Sequence, residues 1–356
     1  MPKNSRQLKA QLLSATIIIA ALGLSAIAAS AEDAWSFKLD SVKEKAKTRI
    51  EYKPLDKAEK KWKLCALFPH LKDSYWLSID YGMVEEAKRQ GVALTILQAG
   101  GYENLPKQLS QFDDCIAAGA DAILVSPISE AGVANKLKES MGKGIPTVAV
   151  ANPVLETPIT AKISTDYREK GLSAGKYVIE FLGDKGGNAV AFPGPQGSGW
   201  AETYLSGFED AVKDSKIKLL DRKFGDTGVA EQLKLVQNAL QTYPEMNVIW
   251  GTAPTVEAAM GAVVAAGRTD MIIMASYENQ AMLKSMQDGK ILGFSAEYPV
   301  MMGRIGIDLA VRALEKKDHE AELSVAPDLI TNETLKSIDI SKILAPDGFK
   351  PVFSVE

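Results

Sequence analysis

Short apolar runs alternate with amphipathic segments along most of the chain. The first run covers residues 64–68 and is stopped by Pro69; apolar residues then recur at helical spacing until Gly91. Similar runs predict further strands at residues 92–97, 122–125, 146–150, 188–192, 218–220, 248–250, 271–275 and 291–294. Because amphipathic segments separate these strands, the pattern predicts an α/β fold with parallel strands and right-handed crossovers.

The alternation restarts near Asp166, so the chain divides into two similar α/β halves. Two such halves predict two Rossmann-like lobes joined by a hinge, with a cleft between them for a small ligand. We expect three hinge crossings, near residues 163–165, 276–277 and 295–297. The predicted domains are an N-terminal arm at 32–61, a first lobe at 62–163 plus 277–296, a second lobe at 164–276 plus 297–345, and a C-terminal tail at 346–356. The lysine-rich arm is expected to be extended, or to hold a short helix around residues 40–49.

The N-terminus has the pattern of a secretory signal peptide. Lys3, Arg6 and Lys9 precede an uncharged run at residues 12–28, and Ala29-Ser30-Ala31 supplies small residues for cleavage after Ala31. Residues 1–31 are therefore predicted to be removed on export, although the run approaches the length of a membrane anchor.

The composition is that of a globular protein, with 46% hydrophobic and 24% charged residues. Removing the three basic residues of the signal leaves 38 of the 41 basic residues against 45 acidic ones, a net charge of −7. This balance does not favour a nucleic-acid partner.

Two cysteines, Cys65 and Cys115, make a disulfide candidate in an exported protein, with two buried free thiols as the alternative. A bridge would close a loop of about 50 residues, worth roughly 4 kcal/mol in the chain-entropy model.

Catalytic and metal motifs are not found. The only histidines are His70 and His319, so neither a metal cluster nor a Ser/His/Asp triad is expected. The glycine-rich loop at 194–199 has neither dinucleotide-binding nor P-loop spacing. We predict no cofactor, no metal and no enzymatic activity.

Aromatic residues are the more informative signal, because several fall in loops after predicted strands or at predicted crossings. The loop Lys72-Asp73-Ser74-Tyr75-Trp76 leaves the carboxyl end of the first strand, where ligands bind in parallel sheets. Several aromatic faces around a cavity would suit a methylated ammonium group, although each ring could instead pack in the core. The predicted ligand-binding residues are Asp73, Tyr75, Trp76, Tyr102, Tyr167, Trp200, Tyr277 and Glu297.

The exported, two-lobed architecture resembles type I periplasmic binding proteins of the ribose-binding kind. Residues 62–67, 71–78, 99–102 and 346–352 are similar to the TorT family, the Lys-Asp-Ser-Tyr-Trp and Ala-Gly-Gly-Tyr blocks being the specific ones. This resemblance implies a periplasmic protein that binds trimethylamine N-oxide and presents the bound form to a sensor histidine kinase.

Position by position, the resemblance implies pocket roles for five of the predicted residues: Asp73, Tyr75, Trp76, Tyr102 and Tyr277. Both cysteines also fall where the family has them. The sequence departs from the family at Asp166-Tyr167-Arg168, which replaces Pro-Trp-Phe, and in the segment of Trp200 and Glu202. A different amine oxide, a betaine-like compound or another methylated amine therefore stays open as the ligand.

The competing interpretation is a substrate-binding protein of an ABC importer for a sugar or another small solute. Sugar-binding relatives often use an Asn-Pro-x-Asp loop after the third strand, whereas this chain has the uncharged Ser126-Pro127-Ile128-Ser129. The helix after the glycine-rich loop begins with Trp200 and not with an arginine-bearing turn. Both features argue against a sugar.

Overall fold

In this computed structural model, which describes residues 35–356, strands and helices alternate as the hydrophobic pattern predicts. The strands are β1 (Phe37–Lys43), β2 (Ala46–Tyr52), β3 (Lys63–Phe68), β4 (Ala93–Gln98), β5 (Ala122–Val125), β6 (Thr147–Val150), β7 (Ala161–Thr165), β8 (Gly187–Phe192), β9 (Ile217–Arg222), β10 (Val248–Gly251), β11 (Ile272–Ala275), β12 (Phe294–Ala296), β13 (Glu322–Val325), β14 (Asp328–Ile330) and β15 (Ser354–Val355). The predicted signal peptide lies outside the described residues.

The α-helices lie mostly between consecutive strands. They are α1 (Ser74–Gln90), α2 (Leu105–Ala117), α3 (Glu130–Gly142), α4 (Tyr167–Leu182), α5 (Trp200–Val212), α6 (Val229–Thr242), α7 (Ala253–Ala265), α8 (Gln280–Gln287) and α9 (Pro299–Leu314). Within residues 35–356, no helix has the length and apolar character needed to cross a membrane.

The strands form two sheets, and each sheet with its helices makes one lobe. The first sheet has the order β15-β4-β3-β5-β6-β7-β13-β1-β2, and the second has the order β14-β12-β11-β10-β8-β9. The central strands β3 to β7 pair with one another in parallel, as do β8 to β12 in the second sheet, where the edge strand β14 pairs antiparallel. Strands such as β5 and β10 are buried along their whole length, which explains their uninterrupted apolar sequences.

Pairing of β12 corrects the predicted lobe boundaries. Ala275 on β11 pairs with Phe294 on β12, so residues 277–296 belong to the second lobe and not to the first. Helix α9 packs on α1 and on β5, β6 and β7, so the beginning of the 297–345 segment belongs to the first lobe. The predicted crossing at Ser276–Tyr277 is therefore wrong.

The chain passes between the lobes at three short connections. Asp166 joins β7 to α4 close to the first predicted crossing, and Glu297–Tyr298 joins β12 to α9 at the last predicted one, in the opposite direction. The remaining connection, Ala326–Pro327, joins β13 to β14 and was not predicted. A longer stretch after β14 returns the chain to the first lobe.

The predicted arm and tail are both parts of the first sheet. Strands β1 and β2 form a hairpin from Phe37↔Tyr52 to Lys43↔Ala46, and β1 pairs with β13. Phe37, Leu39 and Ser41 are buried in alternation, which is the period of a strand, so the short helix considered around residues 40–49 is wrong. At the other edge, β15 pairs with β4.

A disulfide joins β3 to α2 in the first lobe. The Cys65 and Cys115 sulfurs are 2.00 Å apart, which confirms the predicted bridge over the alternative of free thiols. Phe112, Ile123 and Val133 surround the two buried cysteines.

Glycines allow two helix pairs to touch backbone to backbone. A Cβ atom at Gly82 of α1 would lie 2.1 Å from the Val300 carbonyl oxygen, and one at Gly303 of α9 would lie 2.4 Å from that of Ile79. In the second lobe α4 and α5 meet in the same way through Gly171 and Gly207. No larger residue fits at these positions without moving a helix.

Candidate functional site

Loops and helix starts that follow strands of both sheets line one cavity of about 20 Å³, counted as the space open to the centre of a water-sized sphere. Tyr75 and Trp76 begin α1, Tyr167 begins α4 and Trp200 begins α5. Seven of the eight residues predicted to bind ligand line this cavity: Tyr75, Trp76, Tyr102, Tyr167, Trp200, Tyr277 and Glu297. Residues from both lobes therefore share one small space, and their role as ligand contacts remains a prediction.

The aromatic rings form a continuous wall across the two lobes. The Tyr75 ring centroid lies 5.2 Å from that of Trp76 and 5.3 Å from that of Tyr277. Trp200 lies 6.5 Å from Tyr277 and 5.8 Å from Tyr102. Most of these contacts are tilted or edge-on, the arrangement that aromatic pairs prefer. The faces that remain open to the cavity are apolar and electron-rich, which suits methyl groups on a cationic nitrogen.

Asp73, the eighth predicted residue, stands behind the wall. Its Oδ2 accepts a hydrogen bond from the Tyr277 hydroxyl at 2.6 Å, and its Oδ1 accepts from Asn279 Nδ2 at 3.1 Å. The same Oδ1 accepts from the backbone N–H of Tyr75 and so caps α1. Burial raises the pKa of Asp73, and these three hydrogen bonds oppose the shift. Asp73 thus fixes the positions of two wall tyrosines from opposite lobes.

Glu297 supplies a carboxylate to the cavity at a crossing between the lobes. Its Oε1 accepts from Lys170 Nζ at 2.6 Å and from the Tyr204 hydroxyl at 3.0 Å, and all three side chains are buried. The backbone N–H groups of Glu297 and Tyr298 both donate to Oε1 of Glu278. Tyr298 has a left-handed φ of 60°, so Glu278 helps to hold a strained residue at the crossing.

Tyr102 connects the lobes at the other side of the cavity. Its hydroxyl oxygen accepts from Asn152 Nδ2 at 2.9 Å and from Trp200 Nε1 at 3.1 Å. Asn152 belongs to the first lobe and Trp200 to the second, so this hydroxyl lies at a junction of the two.

Comparison with known families identifies the class of protein. Residues 66–318 match the model of the periplasmic binding protein domain. The periplasmic protein TorT of Escherichia coli strain K12 is 32% identical over 300 residues, covering 83% of this chain and 86% of TorT. The chain belongs to the periplasmic binding protein family. It is a TorT-like member with the type I fold, as the two sheets and their connections predict.

Solved structures agree with this classification. A crystal structure of the TorS sensor domain–TorT complex in the presence of trimethylamine N-oxide contains a chain 31% identical to this binding protein, with a TM-score of 0.74 and coverage of 82% and 99% of the two chains. A solute-binding protein of an ABC transporter from Bradyrhizobium sp. BTAi1, with bound Bis-Tris, is 38% identical, with a TM-score of 0.75 and coverage of 90% and 98%. The family is one of solute-binding proteins and not of enzymes.

Sequence reasoning missed several residues of the cavity of this binding protein. Tyr204 lies one helical turn after Trp200 on the same face of α5, and Asn152 follows the buried strand β6, so spacing could have indicated both. Thr227, which also lines the cavity, gives no comparable signal. Lys170 and Glu278 lie behind the lining residues, where nothing local in the sequence marks them.

A second set of contacts closes the cleft near Thr227, and we call residues 70–72, 102 and 226–227 the loop clasp. Lys72 Nζ lies 2.8 Å from Asp226 Oδ2, and His70 Nε2 lies 2.7 Å from the Thr227 hydroxyl oxygen. The Tyr102 backbone N–H donates to Asp226 Oδ1 at 3.3 Å. Burial lowers the pKa of His70 to about 4, so the ring is neutral at neutral pH.

Proposed function

We propose that this protein binds a small methylated amine, trimethylamine N-oxide or a related compound, and presents the bound form to the periplasmic domain of a membrane sensor histidine kinase. The ligand would occupy the aromatic cavity, with Tyr75, Trp76, Tyr102 and Tyr277 against its methyl groups. Asp73 would keep Tyr75 and Tyr277 in place.

The observation that carries this proposal is a cavity that is both aromatic and small. The centre of a water molecule can reach about 20 Å³ of the cavity. Treated as a sphere and enlarged by a water radius of about 1.4 Å, this space corresponds to a cavity of about 120 Å³, the liquid volume of about four water molecules. Trimethylamine N-oxide is of this size, whereas a sugar has at least twice as many non-hydrogen atoms. The wall rings can contact methyl groups from several sides, which supports a methylated nitrogen compound.

The relatives support the same chemistry. The TorT chains of two solved structures, of which this protein covers 100% and 99%, lie in complexes with the TorS sensor domain in the absence of ligand and in the presence of trimethylamine N-oxide.

Bonds across the cleft support a signalling role. Asp73 with Tyr277 and Lys72 with Asp226 each join a first-lobe residue to a second-lobe residue. A ligand that contacts both lobes would favour the arrangement in which these bonds form, since only that arrangement offers both sets of contacts. A sensor domain that grips both lobes could then distinguish the bound form.

Two measurements test the proposal. Calorimetric titration of the purified mature protein with trimethylamine N-oxide, betaine, choline and ribose is expected to give binding with one of the methylated compounds and none with ribose. Titration with the soluble periplasmic domain of a kinase from the same organism, with and without that compound, is expected to give affinities that differ by about 5- to 150-fold. Equal affinities would contradict the signalling part alone.

The alternative is delivery of the solute to an ABC importer, and the identity to the Bradyrhizobium solute-binding protein favours it. It predicts ligand binding without affinity for any sensor domain. Stimulation of uptake of the bound solute in membrane vesicles that contain the cognate importer would establish it.

A further inference from the structure

One carboxylate oxygen on the cavity wall has no hydrogen-bond partner among the residues that the structure describes. Glu297 is the single charged residue among those that line the cavity, and its side chain is 3% exposed. Its Oε1 receives two hydrogen bonds, whereas no group within residues 35–356 donates to its Oε2. A buried carboxylate oxygen that accepts no hydrogen bond has lost its hydration and gained nothing in exchange. A ligand that donates a hydrogen bond to this oxygen would therefore bind more tightly.

Half of the residues that line the cavity already use a hydrogen-bond donor inside the protein. Five of its polar side chains already donate hydrogen bonds inside the protein: Asn152, Tyr167, Trp200, Tyr204 and Tyr277. The Tyr75 and Tyr102 hydroxyls and the Trp76 indole N–H are donors that these bonds leave over, the Tyr102 hydroxyl because it is the acceptor in both of its hydrogen bonds. A ligand that only accepts hydrogen bonds can pair with these donors but leaves Glu297 Oε2 without a partner, whereas a ligand that donates a hydrogen bond supplies that partner.

The charges around Glu297 also favour a cation. Lys170 on α4 faces two carboxylates, Glu297 at 2.6 Å and Glu278 at 3.9 Å, while the group facing them from α5 is the uncharged Tyr204 hydroxyl. Full ionisation of the three charged groups leaves one excess negative charge in a buried place. Burial, with Glu297 nearby, raises the pKa of Glu278 to about 7 although Lys170 opposes the shift, so a proton partly relieves this excess.

We propose that Glu297 makes this cavity selective for a protonated methylated amine, whose N–H donates to Oε2, over an amine N-oxide that has no donor. The inference rests on the proposed function, because it names the member of that ligand class that fits the polar groups of the wall. In this arrangement the aromatic rings contact the methyl groups, and Glu297 Oε2 accepts a hydrogen bond from the nitrogen.

The test compares three probes of similar shape on the unaltered protein by calorimetry, one pH unit above the Glu278 pKa of about 7, where Glu278 is ionised. Trimethylammonium has a charge and a donor, tetramethylammonium has the charge alone, and trimethylamine N-oxide has neither. We expect affinities in that order, with trimethylammonium about ten- to hundredfold tighter than the N-oxide, as for a hydrogen bond to a charged group. An N-oxide that binds as tightly as trimethylammonium, or more tightly, overturns the inference and leaves the proposed function standing. Failure of all three probes overturns the inference, and failure of betaine and choline as well overturns the proposed function.

A pair of variants locates the effect. Glu297→Gln is expected to abolish the preference for trimethylammonium, since its amide offers a donor and no charge. Glu278→Gln is the matched control, because it removes a carboxylate from the same lysine, does not line the cavity, and keeps an Oε1 that can accept from the Glu297 and Tyr298 N–H groups. It should preserve the order of the three probes. Equal loss of preference in both variants would assign selectivity to the charge of the group and reject the contact with Oε2.

Discussion

Removing the Asp226 side chain should weaken ligand binding although Asp226 does not line the cavity. The carboxylate belongs to the loop clasp and joins the second lobe to Lys72 and to the Tyr102 backbone of the first. In Asp226→Ala both bonds are lost, while the residues that line the cavity are unchanged.

The size of the effect follows from the exposure of the two partners. The Lys72 side chain is 41% exposed and that of Asp226 is 17% exposed, so this ion pair contributes no more than about 1 kcal/mol. The long bond from the Tyr102 N–H contributes a further ~0.5–1 kcal/mol. Because these bonds can form only when the lobes are together, their loss of about 1–2 kcal/mol lowers the ratio of that arrangement to the separated one about 5- to 30-fold, and the apparent affinity falls by up to the same factor.

The assay is calorimetric titration with whichever of trimethylammonium, tetramethylammonium and trimethylamine N-oxide binds the unaltered protein most tightly. Asp221→Ala is the control, because Asp221 pairs with Lys223 at 2.9 Å and accepts from the Tyr243 hydroxyl, all within the second lobe. It removes contacts of the same kind without separating the lobes. Its stability should fall while its affinity stays unchanged.

Unchanged affinity in Asp226→Ala would refute the reasoning, since it would mean that the clasp bonds do not favour the ligand-binding arrangement. An equal loss of affinity in Asp221→Ala would refute it in another way, by attributing the loss to general destabilisation.

Three further predictions concern the wall, the disulfide and the buried carboxylate. Trp76→Ala should abolish methylated-amine binding with a modest loss of stability by urea denaturation; a loss of about 3–5 kcal/mol with binding retained would make Trp76 a core residue instead. Thiol labelling of the exported, denatured and unreduced protein should find neither Cys65 nor Cys115 free, whereas two labels per chain would contradict the bridge. The folded-state pKa of Glu278 is raised to about 7, above the ordinary value of 4.5 expected in the unfolded chain. The stability that its proton contributes is therefore fully present below pH 4.5 and is lost as the pH rises through 7. Between these pH values, the free energy of unfolding measured by urea denaturation should fall by on the order of 3 kcal/mol more in the unaltered protein than in Glu278→Gln.

Local pattern was enough to predict the two-lobed α/β fold and to bring the aromatic residues together. Tyr75, Trp76, Tyr102 and Trp200 each follow a strand, and parallel strands direct such loops to one edge of the sheet. This rule needs no knowledge of distant contacts, which is why it placed residues from both lobes at one cavity.

Lobe membership after Ala275 could not be obtained in the same way. Strand β12 has three residues, and only its pairing with β11 and β14 shows which sheet it joins. The hydrogen bond between Tyr277 and Asp73 likewise links residues 204 positions apart. Both depend on long-range geometry, so periodicity and spacing did not reveal them.

The glycine contacts between helices have a consequence for changing what the protein recognises. Gly82 lies seven residues after Tyr75 on α1, and Gly207 lies seven residues after Trp200 on α5, two helical turns from the wall in both cases. Backbone contact at the glycines fixes the helix axes, so the aromatic side chains can vary while the frame that carries them keeps its shape. The protein could thus serve as a scaffold for new small-molecule sensors. A library that randomises the wall residues and keeps Gly82, Gly171, Gly207 and Gly303 would change ligand specificity while the lobes keep their fold.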